Sequence, residues 1–324
     1  MRSLEAAVGR SFTAAVARVE RGGRLLYERA FGTTRADALA QPVYVDTRFD
    51  LASITKIYVS SVALGLVARG VIELDAPLFG PITARMLLAH TSGMHSGADY
   101  RTLFDENVAD FALRRPLAAA PGERVIYSDL GMIALGVAIE RSSGRSLPAA
   151  IAAMWGDAVG FNPPAAARRA IPATEEDAWR GRVQGSVHDE KAHLMNGVAG
   201  HAGLFASARE VARMTEVFLA AANGREQRVL PPELAREAIA CQAEDAVLRR
   251  GLGWALKTTD ENSCGARFGP RSFGHTGFTG TCVWADPDRD LQAVLLTNAV
   301  YFGREDSRPL RVAFYDEVIE AFGG

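Results

Sequence analysis

The sequence predicts an α+β protein, an antiparallel sheet flanked by helices, with strands drawn from both ends of the chain and a mostly helical lobe inserted between them. Three observations lead there. GRLLYERAFGT (Gly23 to Thr33) sets aliphatic and aromatic residues between glycines, as a strand does. The middle of the chain repeats apolar residues at helical spacing. The last quarter returns to strand-like runs, GLGWALKTT and RSFGHTGFTGTCVWADPDRDLQAVLLTN. The expected organisation is a single domain over residues 1–324, with a sheet lobe from about 1–50 plus 225–324 and a helical lobe from about 51–224.

The elements follow in order. Ser53 to Arg69 is apolar on nearly every side, which describes a helix buried in the middle of a protein, and Gly70 ends it. TARMLLAH, SDLGMIALGVAIERSSG and LPAAIAAMW have helical spacing. Ser207-Ala-Arg-Glu210 is a capping box opening ARMTEVFLAAANG. Asp286-Pro-Asp-Arg-Asp290 separates two alternating apolar runs and predicts a hairpin turn. RVAFYDEVIEAFGG is a closing helix.

Of the 324 residues, 48% are hydrophobic and 23% charged, and the formal net charge is −2. This is the balance of a globular chain, and it gives no electrostatic case for nucleic acid or a membrane surface as partner. The longest apolar stretch, Ile57 to Ala68, falls short of the roughly 20 residues a membrane span requires. The first residues carry Glu5, Arg10, Arg18 and Glu20 and no continuous apolar run, so the sequence predicts a cytoplasmic protein. Cys241, Cys264 and Cys282 are too scattered for a disulfide framework or zinc knuckle and read as structural thiols. Lysine occurs only at 56, 191 and 257. No G-x-S-x-G elbow, Walker loop or G-x-G-x-x-G occurs, and no cofactor is expected.

Three short stretches carry candidate chemistry. Ser53 and Lys56 are three apart where the apolar helix begins, so the amine can reach the hydroxyl. Free N–H groups at a helix start favour a developing anion, and an apolar setting lowers a lysine pKa toward a usable base. Bringing it from about 10.4 to near 7 takes roughly 4 to 5 kcal/mol. Taken alone, Ser53 also reads as an N-cap and Lys56 as an exposed first-turn residue. The second stretch is Tyr127-Ser128-Asp129, where a tyrosine just before a helix can act as acid or base in a cleft, or simply fill a core beside an N-cap. The third is Gly274-His275-Thr276-Gly277 on a late strand, where glycines admit a substrate backbone and strand N–H groups can bind an oxyanion. A glycine bulge in an edge strand would look the same.

Together these stretches resemble the serine β-lactamase and penicillin-binding-protein family, whose set is S-x-x-K, then Y-x-N or S-x-N, then K-T-G. LLAHTSGM (Leu87 to Met94), GVAGHAGLFASA (Gly197 to Ala208) and GLGWAL (Gly251 to Leu256) are similar to segments of its class C β-lactamase and family VIII esterase branch. The resemblance runs from about residue 10 to the end. It implies Ser53 as nucleophile, Lys56 and Tyr127 sharing proton transfer, and an oxyanion hole from the backbone N–H groups of Ser53 and Phe278. It puts His275 in the place of the third-motif lysine, with Asp129, Thr276, Gly277 and His201 as substrate-binding residues. The implied partner is a small ester, amide or β-lactam, cleaved through an acyl-enzyme.

Two departures redirect the expected activity. Asp129 stands where Asn is usual and cannot donate to a substrate amide; accepting from Lys56, it would raise that lysine's pKa. His275 replaces a permanent cation with a group titrating near 6.5. Both favour esterase or D-residue peptidase or amidase activity over antibiotic hydrolysis. A true β-lactamase or D,D-carboxypeptidase is one alternative, a binding module without turnover another. Lys257-Thr258-Thr259 lacks the glycine of the third motif. His188 and His193, in SVHDEKAHLMNG, lie about 140° apart on a helix, so no metal site is expected there. His90, His95 and His201 are expected to order loops near the cleft.

Overall fold

The computed structural model describes residues 1–258 and 262–324. Eight strands form one antiparallel sheet: β1 (Ala14–Arg21), β2 (Arg24–Gly32), β3 (Ala243–Glu244), β4 (Arg249–Arg250), β5 (Ala255–Leu256), β6 (Phe273–Thr276), β7 (Cys282–Asp286) and β8 (Leu291–Thr297). Their order is β3-β4-β5-β6-β7-β8-β1-β2. The two ends of the chain meet where β1 pairs with β8, in a register running from Ala15 opposite Thr297 to Arg21 opposite Leu291. The sheet is thus drawn from both termini, as the strand-like ends predict.

Alternation sorts the sheet's side chains to two faces. Val16, Val283, Val294 and Leu296 join the core under the helical segments. Ala15, Ala17, Ala293 and Leu295 pack instead with Phe314, Tyr315 and Val318 of the C-terminal helix, Arg308–Phe322. The turn predicted at 286–290 joins β7 to β8. Asp286 accepts from the Asp288 N–H at 3.0 Å, and Asp290 takes a left-handed φ of 49°.

The helix predicted from Ser53 runs as α1, Thr55–Ala68, and every residue from Thr55 to Leu66 is buried. A helix apolar all round has no solvent face, and this one packs against the helix α2 (Asp129–Ser143) and the helix Leu147–Trp155. Gly70 closes it at φ 69°. Ser128 caps α2 by accepting from the Gly131 N–H at 2.8 Å. Ser207 caps the helix Ala208–Ala222 by accepting from the Glu210 N–H, as the capping box predicts.

The run GLGWALKTT departs from a continuous strand: among its described residues only Ala255–Leu256 enters the sheet. Gly251 and Gly253 press on neighbouring elements, and a Cβ at Gly253 would lie 2.3 Å from the Ser60 hydroxyl of α1. Backbone contact with that helix takes the place of strand pairing. Thr259, the last residue of that run and of Lys257-Thr258-Thr259, lies outside the described residues. Among the described residues, no helix is long and apolar enough to cross a membrane.

Candidate active site

A short 3-10 turn, Ala52–Ile54, precedes α1 and carries Ser53. Ala52 is forced to a left-handed φ of 45°, a costly conformation for a residue with a Cβ. The buried Asp50 carboxylate stabilises it by accepting from the Ala52 N–H at 2.9 Å and from the His188 N–H at 2.6 Å. Burial pushes the Asp50 carboxyl up from its ordinary pKa, against the pull of those two N–H groups.

Lys56, one turn on, is fully buried. Its Nζ donates to Ser53 Oγ at 2.7 Å and to the His201 carbonyl at 3.0 Å, and lies 2.9 Å from Asp129 Oδ1. The expected base therefore has the opposite charge tendency. Burial pulls the ammonium down, but Asp129 and then Tyr127 outweigh it, and the pKa stands at about 12. Desolvation was expected to free the amine unless Asp129 accepted from it; Asp129 does so, and the carboxylate keeps the amine protonated.

Tyr127 sits between cations. Lys56 Nζ is 5.0 Å from its ring centre and the Arg250 guanidinium 4.9 Å. His90 packs beside it at 4.7 Å and holds the following residue, because the Ser128 N–H donates to His90 Nδ1 at 3.1 Å. Burial first, and then Arg250 and Lys56, drive His90 well below its ordinary pKa, so it stays a neutral acceptor. His95 contributes its carbonyl, which accepts from Ser128 Oγ at 2.6 Å.

His275, on β6, is buried with its ring 6.0 Å from that of Tyr127. Burial, Arg250 and Lys56 lower its pKa to about 3. It is a neutral imidazole at ordinary pH, its Nδ1 bonded to the Thr276 carbonyl at 2.8 Å. The expectation of a group titrating near 6.5 is corrected. The positive charge on this wall comes from Arg250, which sequence reasoning missed. Its one sequence signal is an arginine directly before GLGWAL. Arg250 is buried on β4, and among the described residues no carboxylate pairs with it.

After β6 the chain turns sharply at Gly277, where a Cβ would lie 2.1 Å from Thr281 Oγ1 and 2.5 Å from the Leu51 carbonyl. Only glycine lets this turn approach the 3-10 turn so closely. Thr279 Oγ1 donates to the Asp50 carbonyl at 2.9 Å and Thr281 Oγ1 to the Leu51 carbonyl at 3.1 Å, tying the two turns together. Among the described residues, the backbone N–H groups of Ser53 and Phe278 have no acceptor.

A cavity of about 1000 Å³ opens over this wall, lined by Ser53, Tyr127, Arg250, His275, Thr276, Gly277 and Phe278 among others. Lys56, Asp129 and His201 are not among its lining residues. His201 is buried, and its Nε2 lies 2.8 Å from Asp189 Oδ1.

Asp129, Asp189 and His201 could geometrically hold a cation. Two ammonium groups already occupy that role. Lys191 Nζ lies 3.4 Å from Asp129 and 3.2 Å from Asp189, and Lys56 completes the alternation. Burial works against both carboxylates, yet Lys56, His201 and Lys191 hold Asp129, and His201 and then Lys191 hold Asp189, below the ordinary carboxylate range. In SVHDEKAHLMNG the two remaining histidines diverge: His188 pairs with Glu175 at 3.1 Å, while His193 packs on Trp179.

A half-buried serine bonded to a buried lysine and sharing a cleft with a tyrosine, beside a strand followed by the free Phe278 N–H, defines the serine-hydrolase class built on a helical segment and an antiparallel sheet. The beta-lactamase family profile matches residues 2–316, and the chain belongs to that family. It is 30% identical to esterase EstB of Burkholderia gladioli, over 95% of this chain and 91% of that protein. It is 29% identical to an N-acetylmuramyl-L-alanine amidase of Bacillus subtilis, over 91% of this chain and 79% of that one. Among solved structures, the octameric penicillin-binding protein homologue from Pyrococcus abyssi has the same fold. It superposes with a TM-score of 0.76 at 19% identity, over 98% of this chain and 75% of that one.

Proposed function

We propose that the protein hydrolyses esters, or amides at a D-residue, through an acyl-enzyme on Ser53. The observation that carries this reading is the 2.7 Å hydrogen bond from buried Lys56 to a Ser53 hydroxyl that faces the cavity. With Lys56 held charged, Tyr127 acts in its phenolate form: it takes the proton leaving Ser53, and the Lys56 ammonium stabilises the negative charge shared by the two oxygens. Ser53 Oγ attacks the substrate carbonyl, and the N–H groups of Ser53 and Phe278 receive the oxyanion. Tyr127 returns the proton to the leaving group as the acyl-enzyme forms. The phenolate left on Tyr127 then deprotonates a water that attacks the acyl carbonyl, and the proton passes on to Ser53 Oγ as the bond to Ser53 breaks and the acid leaves.

Arg250 favours a substrate bearing a carboxylate. A buried guanidinium without an anion is costly, and the cavity is where an anion can reach it. This observation supports the D-residue peptidase or amidase form over a neutral-ester esterase, and it restores the cationic wall that His275 does not provide. The amidase name of one relative and the esterase name of another fit both substrates.

The test is hydrolysis of a p-nitrophenyl ester, run beside fluorophosphonate labelling. Ser53→Ala should abolish both, and an unchanged rate would remove Ser53 from the mechanism. Comparing turnover of nitrocefin, a D-amino-acid amide and the ester then sets the substrate order, with nitrocefin expected last. Folded wild-type protein that takes no label would favour a binding module without turnover.

A further inference from the structure

The C-terminal helix carries a second buried guanidinium that the mechanism above does not use. Arg311 has a relative exposure of 9%, and among the described residues no carboxylate pairs with it. Its Nη2 donates to the Gly277 carbonyl at 2.7 Å, a bond that is itself buried and spans 34 residues of chain. Among the described residues its Nε has no hydrogen-bond partner. Arg311 also lies beside the Cys282 thiol and reaches the edge of the active-site cavity. A largely buried cation held by a peptide oxygen and a thiol, with no anion, is expensive as stability alone.

The identity of that peptide matters. The Gly277 carbonyl and the Phe278 N–H belong to the same planar unit, and in a trans peptide the two point in opposite directions. A donor fixed on the oxygen side therefore fixes the direction of the N–H on the other side. The Gly280 N–H also donates to the Gly277 carbonyl, at 3.1 Å, so the oxygen is held from two directions while the Phe278 N–H is left without an acceptor. The rest of the turn is anchored by Thr279 and Thr281 to the carbonyls of Asp50 and Leu51. Among the described residues, Arg311 supplies the one charged contact to this peptide. A charge-assisted bond to a carbonyl also withdraws electron density along the amide and makes its N–H a stronger donor.

We propose that Arg311 is a positioning residue of the oxyanion hole, holding and polarising the 277–278 peptide so that the Phe278 N–H is aimed and strengthened before substrate arrives. The inference rests on the acyl-enzyme reading for the role of that N–H. It assigns Arg311 to no contact with substrate. A guanidinium that merely bound a substrate carboxylate would change KM for acidic substrates and leave a neutral ester untouched.

The experiment compares wild type, Arg311→Met and Arg311→Lys by three readouts. For a neutral p-nitrophenyl ester, Arg311→Met should lower kcat roughly 10- to 100-fold with little change in KM. That is short of the 10²- to 10³-fold cost of deleting an oxyanion donor outright. Arg311→Lys, which keeps one charged donor, should recover part of the loss. The second-order rate of fluorophosphonate labelling at Ser53 should fall in parallel with kcat. The third readout is independent of turnover. Carbonyl-labelled glycine with amide-labelled phenylalanine gives two Gly-Phe peptide signals, from Gly160-Phe161 and Gly277-Phe278. The Phe278 amide proton should move upfield in Arg311→Met and less in Arg311→Lys, with the Phe161 signal as internal control.

An unmoved Phe278 amide in Arg311→Met, or an unchanged kcat in a variant still labelled at Ser53, overturns the proposal. So does a loss confined to KM for carboxylate-bearing substrates. Wild-type protein left unlabelled by the probe would instead remove the Ser53 reading, and the amide signal would still decide whether Arg311 holds the peptide.

Discussion

Replacing Asp129 by asparagine separates two ways this site could move a proton. The Lys56 ammonium lies 2.9 Å from Asp129 Oδ1 in a fully buried position, with its pKa at about 12. At an effective dielectric near 20, two unit charges at that distance attract by about 6 kcal/mol. Asparagine is nearly isosteric and keeps a carbonyl to accept from the ammonium, so the change removes charge with little change of shape. Losing that attraction leaves burial unopposed except by Tyr127, which brings Lys56 down to roughly 8. The assay is the pH dependence of kcat/KM for a neutral ester between pH 6 and about 10, a range in which wild-type Lys56 is charged throughout. If the charged ammonium is the working form, Asp129→Asn should lose activity as pH rises through about 8, where wild type shows no such limb. If the neutral amine is the general base, the same variant should gain activity through that range and exceed wild type at its top. A gain would refute the assignment of proton transfer to Tyr127 and restore the lysine base.

Other predictions rest on separate contacts. His90 and His275 are buried and depressed in pKa, so their stabilising contribution is fully present above about pH 6.5 and is lost as pH falls toward the folded values. Each should cost about 1.4 kcal/mol per pH unit below 6.5. Urea unfolding at pH 5 and 7 should show this, with His275→Gln flattening the slope by about one proton. Gly277→Ala should retain secondary structure by circular dichroism yet lose more than about 10²-fold in ester turnover, because its Cβ would lie 2.1 Å from Thr281 Oγ1 and separate the two turns. Arg250→Met should lower kcat/KM for a carboxylate-bearing substrate by roughly 30-fold or more, the cost of removing one partner of a buried charge pair. A neutral ester should lose less than about tenfold.

The parts of the fold legible in the sequence are those set by neighbours along the chain. The apolar run of α1, the Ser207 cap and the turn at 286–290 each depend on residues within a few positions, and each is where the pattern puts it. The strand predicted through GLGWALKTT shrinks because Gly251 and Gly253 meet Ala238 and Ser60, contacts made across the fold that no local pattern encodes. The Ser53–Lys56 bond falls in the legible class, since helical spacing alone brings the two groups within reach.

Charge at the site belongs to the other class. Desolvation of Lys56 could be read from its apolar flanks, and so could its direction, downward. The opposing effect comes from Asp129, brought in by a different helix, and from Tyr127 just before that helix. The spacing of His188 and His193 argued against a zinc-protease arrangement, but it passed over Asp189 and Lys191 between them, which extend the ion pairs behind the nucleophile. His275 follows the same logic. Its intrinsic pKa suggested a titrating cation, yet burial beside Arg250 and Lys56 leaves it neutral and hands the positive charge to an arginine on the neighbouring wall. A motif fixes which atoms can meet. Which of them carries the proton is decided by the distant charges that the fold assembles around them, so substitutions at Asp129 and Lys191 should move the pH profile more than any change within the S-x-x-K turn that preserves Ser53 and Lys56.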